Sequence, residues 1–222
     1  DFTTMSDSVI QFHYHKNAVA RIIFTTNTVL AHDVGAGKTY VMIAAGQEMK
    51  RMWLATKNMY VVPNNIVGQW KNIFTAMYPN AKLLCVDPKN FTPAKREAVL
   101  EYIRDEDFDG IIIAYSCFEL IPLSKDYYIE ELEEKKKLVS ELVTQKCKAT
   151  SKLKKKKEAL EKALFEMTLA MDDMYDTVYF DELGITRLFV DEAHNFKNVP
   201  YDTKANNVLG ICENGSKKCQ DL

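Results

Sequence analysis

Residues 27–39 read Asn27-Thr28-Val29-Leu30-Ala31-His32-Asp33-Val34-Gly35-Ala36-Gly37-Lys38-Thr39, and this stretch decides the fold. Asn27 to Ala31 has the composition of a short strand. Gly35-Ala36-Gly37 is a turn, and Lys38 to Met52 is a helix with Val41, Met42, Ala45 and Met49 on one face. A strand, a glycine turn and a helix in this order bring unpaired N–H groups and the positive end of a helix dipole to one point. That point suits an anion. Glycine is required because side chains would keep phosphate oxygens away from the backbone. Lys38 adds a point charge and Thr39 a hydroxyl suited to magnesium.

A second string, Leu188-Phe189-Val190-Asp191-Glu192-Ala193-His194, is an apolar strand that delivers two carboxylates to the carboxyl edge of a sheet. With the first string it describes a site for a metal-bound nucleoside triphosphate. Gly35, Ala36, Gly37 and Lys38 would hold the β- and γ-phosphates, while Thr39 and Asp191 would hold magnesium. In-line attack needs a base near the γ-phosphate that is not bonded to the metal, and this is the place of Glu192. Lys38, Asp191 and Glu192 are thus the catalytic candidates.

Between these strings the chain alternates. Strands are expected near residues 28–32, 58–62, 82–86, 110–115 and 186–191, with helices near 38–53, 65–78 and 93–105. This alternation predicts an α/β fold with a mainly parallel sheet, whose sites lie at the carboxyl ends of the strands.

The general phosphate-loop pattern would place an earlier glycine where this chain has His32. The block Ala31 to Thr39 instead resembles motif I of superfamily 2 helicases, and most closely the Swi/Snf-like double-stranded DNA translocases. Asp191-Glu192-Ala193-His194 resembles their motif II. Met59-Tyr60-Val61-Val62-Pro63 with Asn64, Asn65, Gln69 and Trp70 resembles motif Ia, and Gly110 to Ser116 the later strand whose Tyr-Ser end faces DNA. The resemblance implies a RecA-like P-loop NTPase lobe with ATP and Mg2+ as cofactors and double-stranded DNA as partner. It implies nucleic-acid contacts at Pro63, Asn64, Gln69, Tyr115 and Ser116. Gln11 to Val19 resembles the family's adenine-recognition segment; aligned on Tyr14, the usual glutamine position holds His15, with Gln11 as a substitute.

Composition sets limits. A chain of 222 residues with 47% hydrophobic content can bury roughly 70% of its unfolded surface as one large domain. The formal charge of −2 gives no overall attraction to DNA, so contacts must come from local patches. Five cysteines, an odd number without a Cys-x-x-Cys pair, argue against a disulfide framework and for reduced cytoplasmic thiols. No apolar run approaches the roughly 20 residues of a membrane span, and no charged-then-apolar leader opens the chain.

From about residue 125 to 174 charges crowd together without proline or glycine. Leu153, Lys157, Leu160, Leu164, Met167, Met171 and Met174 follow a coiled-coil spacing, and Ile129, Leu132, Val139 and Val143 share a compatible phase. An inserted antiparallel helical hairpin is expected, turning near Ala149-Thr150-Ser151. Five lysines between Lys152 and Lys157 would lie near its tip, either on DNA phosphates or solvated and balanced by Glu131, Glu133, Glu134 and Glu141.

The family's Thr-Gly-Thr-Pro-like motif and its second RecA-like lobe are expected to follow these 222 residues in a larger protein. His194 would relay toward that lobe, which donates arginines worth about 10³ to 10⁵ in rate in related systems. The lobe alone should hydrolyse ATP hardly at all. The cast also resembles helicase-like proteins of bacterial mobile elements and DNA-modification systems, some fused to methyltransferases. That resemblance implies a bacterial cytoplasmic location and a methyltransferase domain, or another protein on the hairpin, as partner. Two other functions stay open: a P-loop kinase for a non-nucleic-acid substrate, and a protein-binding module built on the hairpin.

Overall fold

The computed structural model describes residues 5–9, 12–25, 27–145, 155, 157–164 and 177–196. The chain divides into two compact units, one of Asp1–Ile121 with Glu182–Leu222 and one of Pro122–Asp181.

The first unit is α/β. Helices α1 (His13–Phe24) and α2 (Lys38–Arg51) precede β1 (Asn58–Val62), α3 (Val67–Met77), β2 (Leu83–Val86), α4 (Pro93–Asp105), β3 (Gly110–Ala114) and the short α5 (Tyr115–Phe118). The last strand, β4 (Arg187–Val190), returns after the second unit. All pairings are parallel, in the order β2-β3-β1-β4. Strands β1 and β3 are buried at every residue, which is why Met59 to Val62 and Ile111 to Ala114 are unbroken apolar runs rather than alternating ones. The connections from β1 to β2 and back from β2 to β3 run in opposite senses along the sheet, and right-handed crossovers, the rule for parallel strands, then put α3 and α4 on opposite faces.

Tyr60 is the pivot of one face. Its ring stacks on Phe189 of β4 at 4.9 Å and meets Trp70 and Phe74 of α3 at 5.6 and 5.5 Å. Helix α2 comes against the same ring at Gly46, whose carbonyl accepts a 2.8 Å bond from the buried Asn58 side chain. At the start of β1, the buried ammonium of Lys57 donates to the carbonyls of Ile103 and Arg104 and so caps the C-terminus of α4. Burial lowers the Lys57 pKa, and nearby Asp107 and Asp105 oppose that.

The strand expected at 28–32 does not form. Residues 28–33 carry no ladder, and the sheet has four strands among the described residues. The Thr25 hydroxyl bonds to the Arg21 carbonyl and the Thr28 hydroxyl, which bends the chain as it leaves α1. Val29 remains 87% exposed as a result. At the far end, the carbonyls of His32 and Asp33 accept from Lys38 instead of from a neighbouring strand.

In the second unit, α6 (Lys125–Gln145) is one long helix, and residues 157–164 are helical too. Lys136 and Glu161 approach to 3.8 Å. The ends of the unit meet, with Phe180 N–H on the Pro122 carbonyl at 2.8 Å and Ser124 N–H on the Asp181 carboxylate at 3.2 Å. The expected turn at 149–151, most of the lysine cluster, and Leu153, Met167, Met171 and Met174 of the seam lie outside the described residues. Cys85 and Cys117 are free thiols, their pKa values raised by burial. Among the described residues no helix is long and apolar enough to cross a membrane.

A β-carbon at Gly46 would lie 2.0 Å from the Tyr60 hydroxyl and 3.2 Å from the Asn58 amide nitrogen, both in the core. Gly46→Ala should therefore cost about 1–3 kcal/mol through overpacking, despite alanine's better helix propensity. Urea unfolding read by circular dichroism measures it; an unchanged midpoint would show that α2 and β1 are not in tight contact here.

Candidate functional site

The glycine turn has the backbone its sequence predicts. Gly35 and Gly37 take φ values of 85° and 76°, and Gly37 is the left-handed N-cap of α2. Ala36 N–H closes the turn on the Asp33 carbonyl at 3.2 Å, and Val41 N–H begins the helix on the Gly37 carbonyl at 3.1 Å. Lys38 extends back along the loop, donating to His32 and Asp33 carbonyls at 3.0 and 3.1 Å. Thr39 follows in the first turn of the helix, half-buried.

The carboxylate pair sits at the end of β4. Asp191 N–H carries the parallel ladder one residue beyond the strand, onto the Val61 carbonyl at 2.9 Å. The residue is 9% exposed, and its carboxylate accepts from the Trp70 indole N–H at 3.2 Å on one oxygen and from Glu192 N–H at 3.0 Å on the other. The Tyr115 hydroxyl donates to its main-chain carbonyl. Burial pushes the Asp191 carboxyl above the usual carboxylate range and the Glu192 charge adds to this, while the Trp70 bond and the Lys38 charge pull it back.

Glu192 has φ 54°, a left-handed conformation that costs an L-residue about 1–2 kcal/mol. Its carboxylate is exposed and lies 3.0 Å from His194 Nδ1. Lys38, Asp191, Glu192 and His194 line one open cleft of about 530 Å3, bounded on one side by Asn27 to Leu30 and on the other by β4. The two strings that the chain separates so widely therefore meet across a single space.

The cleft's donors fit a hard divalent cation. Each Asp191 oxygen spends one lone pair on a protein N–H, which leaves further lone pairs for such an ion, whereas Thr39, Gly35, Ala36 and Gly37 do not line this cleft. Among the described residues no cluster of three or more histidine, cysteine or carboxylate side chains that could hold a metal occurs, in this cleft or elsewhere.

The remaining expected residues fall in two places. At the carboxyl ends of β1 and β3, Asn64 and Ser116 bond reciprocally: the Asn64 amide donates to the Ser116 hydroxyl at 2.9 Å and accepts from Ser116 N–H at 3.2 Å. Pro63 is the half-buried exit of β1, and Gln69 is exposed on the first turns of α3. Tyr115 differs from the others because its hydroxyl turns inward to Asp191. At the other place, His15 is buried on the first turn of α1, with Nε2 2.9 Å from the Ala36 carbonyl. Gln11 lies outside the described residues.

The sequence alone assigns Trp70 and Tyr115 no role at the carboxylate, although both belong to the strings that end β1 and β3. The signal was present in Trp70, because a buried indole N–H needs an acceptor.

The family model described as a probable helicase domain matches residues 22–222, and the chain belongs to that family. It is also similar to the ATP-dependent helicase fft1 of Schizosaccharomyces pombe, at 28% identity over 87 residues. The match covers 39% of this chain and 9% of that relative's length.

Trp70→Phe keeps the ring and removes the N–H that stabilises ionised Asp191. The carboxyl should then titrate at higher pH than in the parent, measured by carbon NMR of labelled aspartate. A midpoint that stays or falls would show that Trp70 does not hold this carboxylate.

Proposed function

We propose that this chain is the ATP-binding lobe of a DNA-dependent ATPase of superfamily 2, of the Swi/Snf-like branch, acting on double-stranded DNA. One observation carries the reading: Lys38 of a glycine-capped loop and the Asp191-Glu192 pair that follows β4 face the same cleft. A small-molecule kinase would need the first of these but not the second. The family to which the chain belongs supports the same choice.

In this reading Gly35, Ala36, Gly37 and Lys38 bind the β- and γ-phosphates, and Thr39 and Asp191 hold Mg2+, which supplies charge neutralisation when bound. Glu192 takes a proton from the attacking water as its oxygen bonds the γ-phosphorus; the bond to the β-phosphate oxygen breaks, giving ADP and phosphate. His194, 3.0 Å from the Glu192 carboxylate, orients that base and stands toward the side where a second RecA-like lobe would close. Arginines from that lobe would complete the site, so the lobe alone turns over slowly.

Duplex DNA would lie along the carboxyl ends of β1 and β3, at Pro63, Asn64, Gln69, Tyr115 and Ser116. The reciprocal Asn64–Ser116 bonds join these two exits into one surface. Tyr115, beside Ser116, and the buried Trp70, beside Gln69, both bond to Asp191, which would give DNA a physical route to the nucleotide site. Residues about 125–174 form the inserted hairpin in this account, supported by α6, the helical 157–164 and the Lys136–Glu161 approach. A methyltransferase domain or another protein is its proposed partner, and the setting is a bacterial cytoplasm.

The deciding experiment is ATP turnover by the full-length protein with and without duplex DNA. DNA should stimulate turnover strongly, and Lys38→Ala should reduce it to background. Glu192→Gln should slow hydrolysis by roughly 10²- to 10⁴-fold while nucleotide binding persists. Turnover indifferent to DNA would remove the motor reading, and loss of nucleotide affinity in Glu192→Gln would remove the base role.

A further inference from the structure

We propose that His15 is a positioning residue that holds the phosphate loop from beneath, rather than a group that reads the nucleotide base. The proposal rests on the nucleotide-binding reading above and assigns one of its residues a different task. His15 is 5% exposed, and both of its ring nitrogens already face backbone. Nε2 lies 2.9 Å from the Ala36 carbonyl, which can only accept, and Nδ1 lies 3.4 Å from Phe12 N–H, which can only donate. One neutral tautomer, with the proton on Nε2, satisfies both partners. The rings of Phe12 and Tyr14 close on the imidazole at 5.6 and 4.3 Å. A β-carbon at Gly37 would come within 2.6 Å of Nε2, so the ring is packed directly under the loop. A base edge could reach its nitrogens only if the imidazole first let go of the loop.

The planarity of the peptide unit gives this contact its consequence. In a trans peptide the C=O and the following N–H point in opposite directions. Fixing the Ala36 carbonyl on His15 below the loop therefore turns Gly37 N–H away from His15, to the side where an anion would sit at the N-terminus of α2. The peptide would otherwise be easy to flip, because Gly37 tolerates either sign of φ. Flipped, it would offer a carbonyl oxygen to the phosphates and oppose binding. His15 therefore acts on affinity for the triphosphate, whatever base is attached.

The test uses the full-length protein, with ATP and inorganic tripolyphosphate each displacing a fluorescent nucleotide. His15→Phe retains a ring and lacks the donor; His15→Gln places an amide N–H where Nε2 stands. His15→Phe should weaken ATP and tripolyphosphate by the same factor, about tenfold, and His15→Gln should restore both. A loss confined to ATP would assign His15 to the base and overturn the proposal, as would no loss in His15→Phe or no recovery in His15→Gln. If the unsubstituted protein binds neither probe, the nucleotide reading falls and this proposal with it. Should His15→Phe fail to fold, nitrogen NMR of the unsubstituted imidazole decides: a proton on Nε2 supports the contact, and one on Nδ1 overturns it.

Discussion

The parallel pairing of β1 with β3 on one side and β4 on the other is the constraint from which the site follows. It sets Val62 opposite Ala114 and Val61 opposite Val190, so that β4 ends one residue short of its two neighbours. The next residues along each strand are Pro63, Tyr115 and Asp191. Because Asp191 N–H still bonds the Val61 carbonyl, the position of Asp191 is fixed by main chain before any side chain acts on its carboxylate. A slip of one residue in β4 would turn Asp191 to the opposite face of the sheet, away from Trp70.

Holding a carboxylate there is unfavourable by itself, as the raised Asp191 pKa records. Trp70 and the Glu192 amide each answer one oxygen, and Tyr115 anchors the backbone between them. The left-handed turn at Glu192 adds strain at the next position, and it is this turn that takes Glu192 out of the strand direction and into the cleft. Buried charge and backbone strain thus occur at adjacent residues, supported by side chains from two other elements.

Much of this was readable in the residues. The unbroken apolar runs of β1 and β3, the glycines of the loop and the apolar string before Asp191 appear where expected, because burial on both faces and positive φ leave few residue choices. The segment 28–32 misled because Val29 and Leu30 have strand composition, whereas the Thr25–Thr28 hydroxyl contact and the pull of Lys38 on His32 and Asp33 decide its course. Such contacts depend on side-chain geometry, which composition does not encode. The meeting of Trp70, Tyr115 and Asp191 was hidden for a related reason. Each lies in a legible string, but only the register of three strands brings the strings together.

The second unit enters the chain between β3 and β4, and its ends are bonded to each other. Lengthening such an excursion adds little to the entropy of closing it, about 0.6 kcal/mol for each doubling, so the sheet tolerates the intervening unit. The order of synthesis is more consequential. By the time a ribosome has released residues 1–121, three strands and all but one wall of the cleft are present, while Phe189 has not yet covered Tyr60. A nascent chain therefore exposes an apolar strand edge until the far side of the second unit has been translated, and that edge is where a chaperone, or a second nascent chain, would find it.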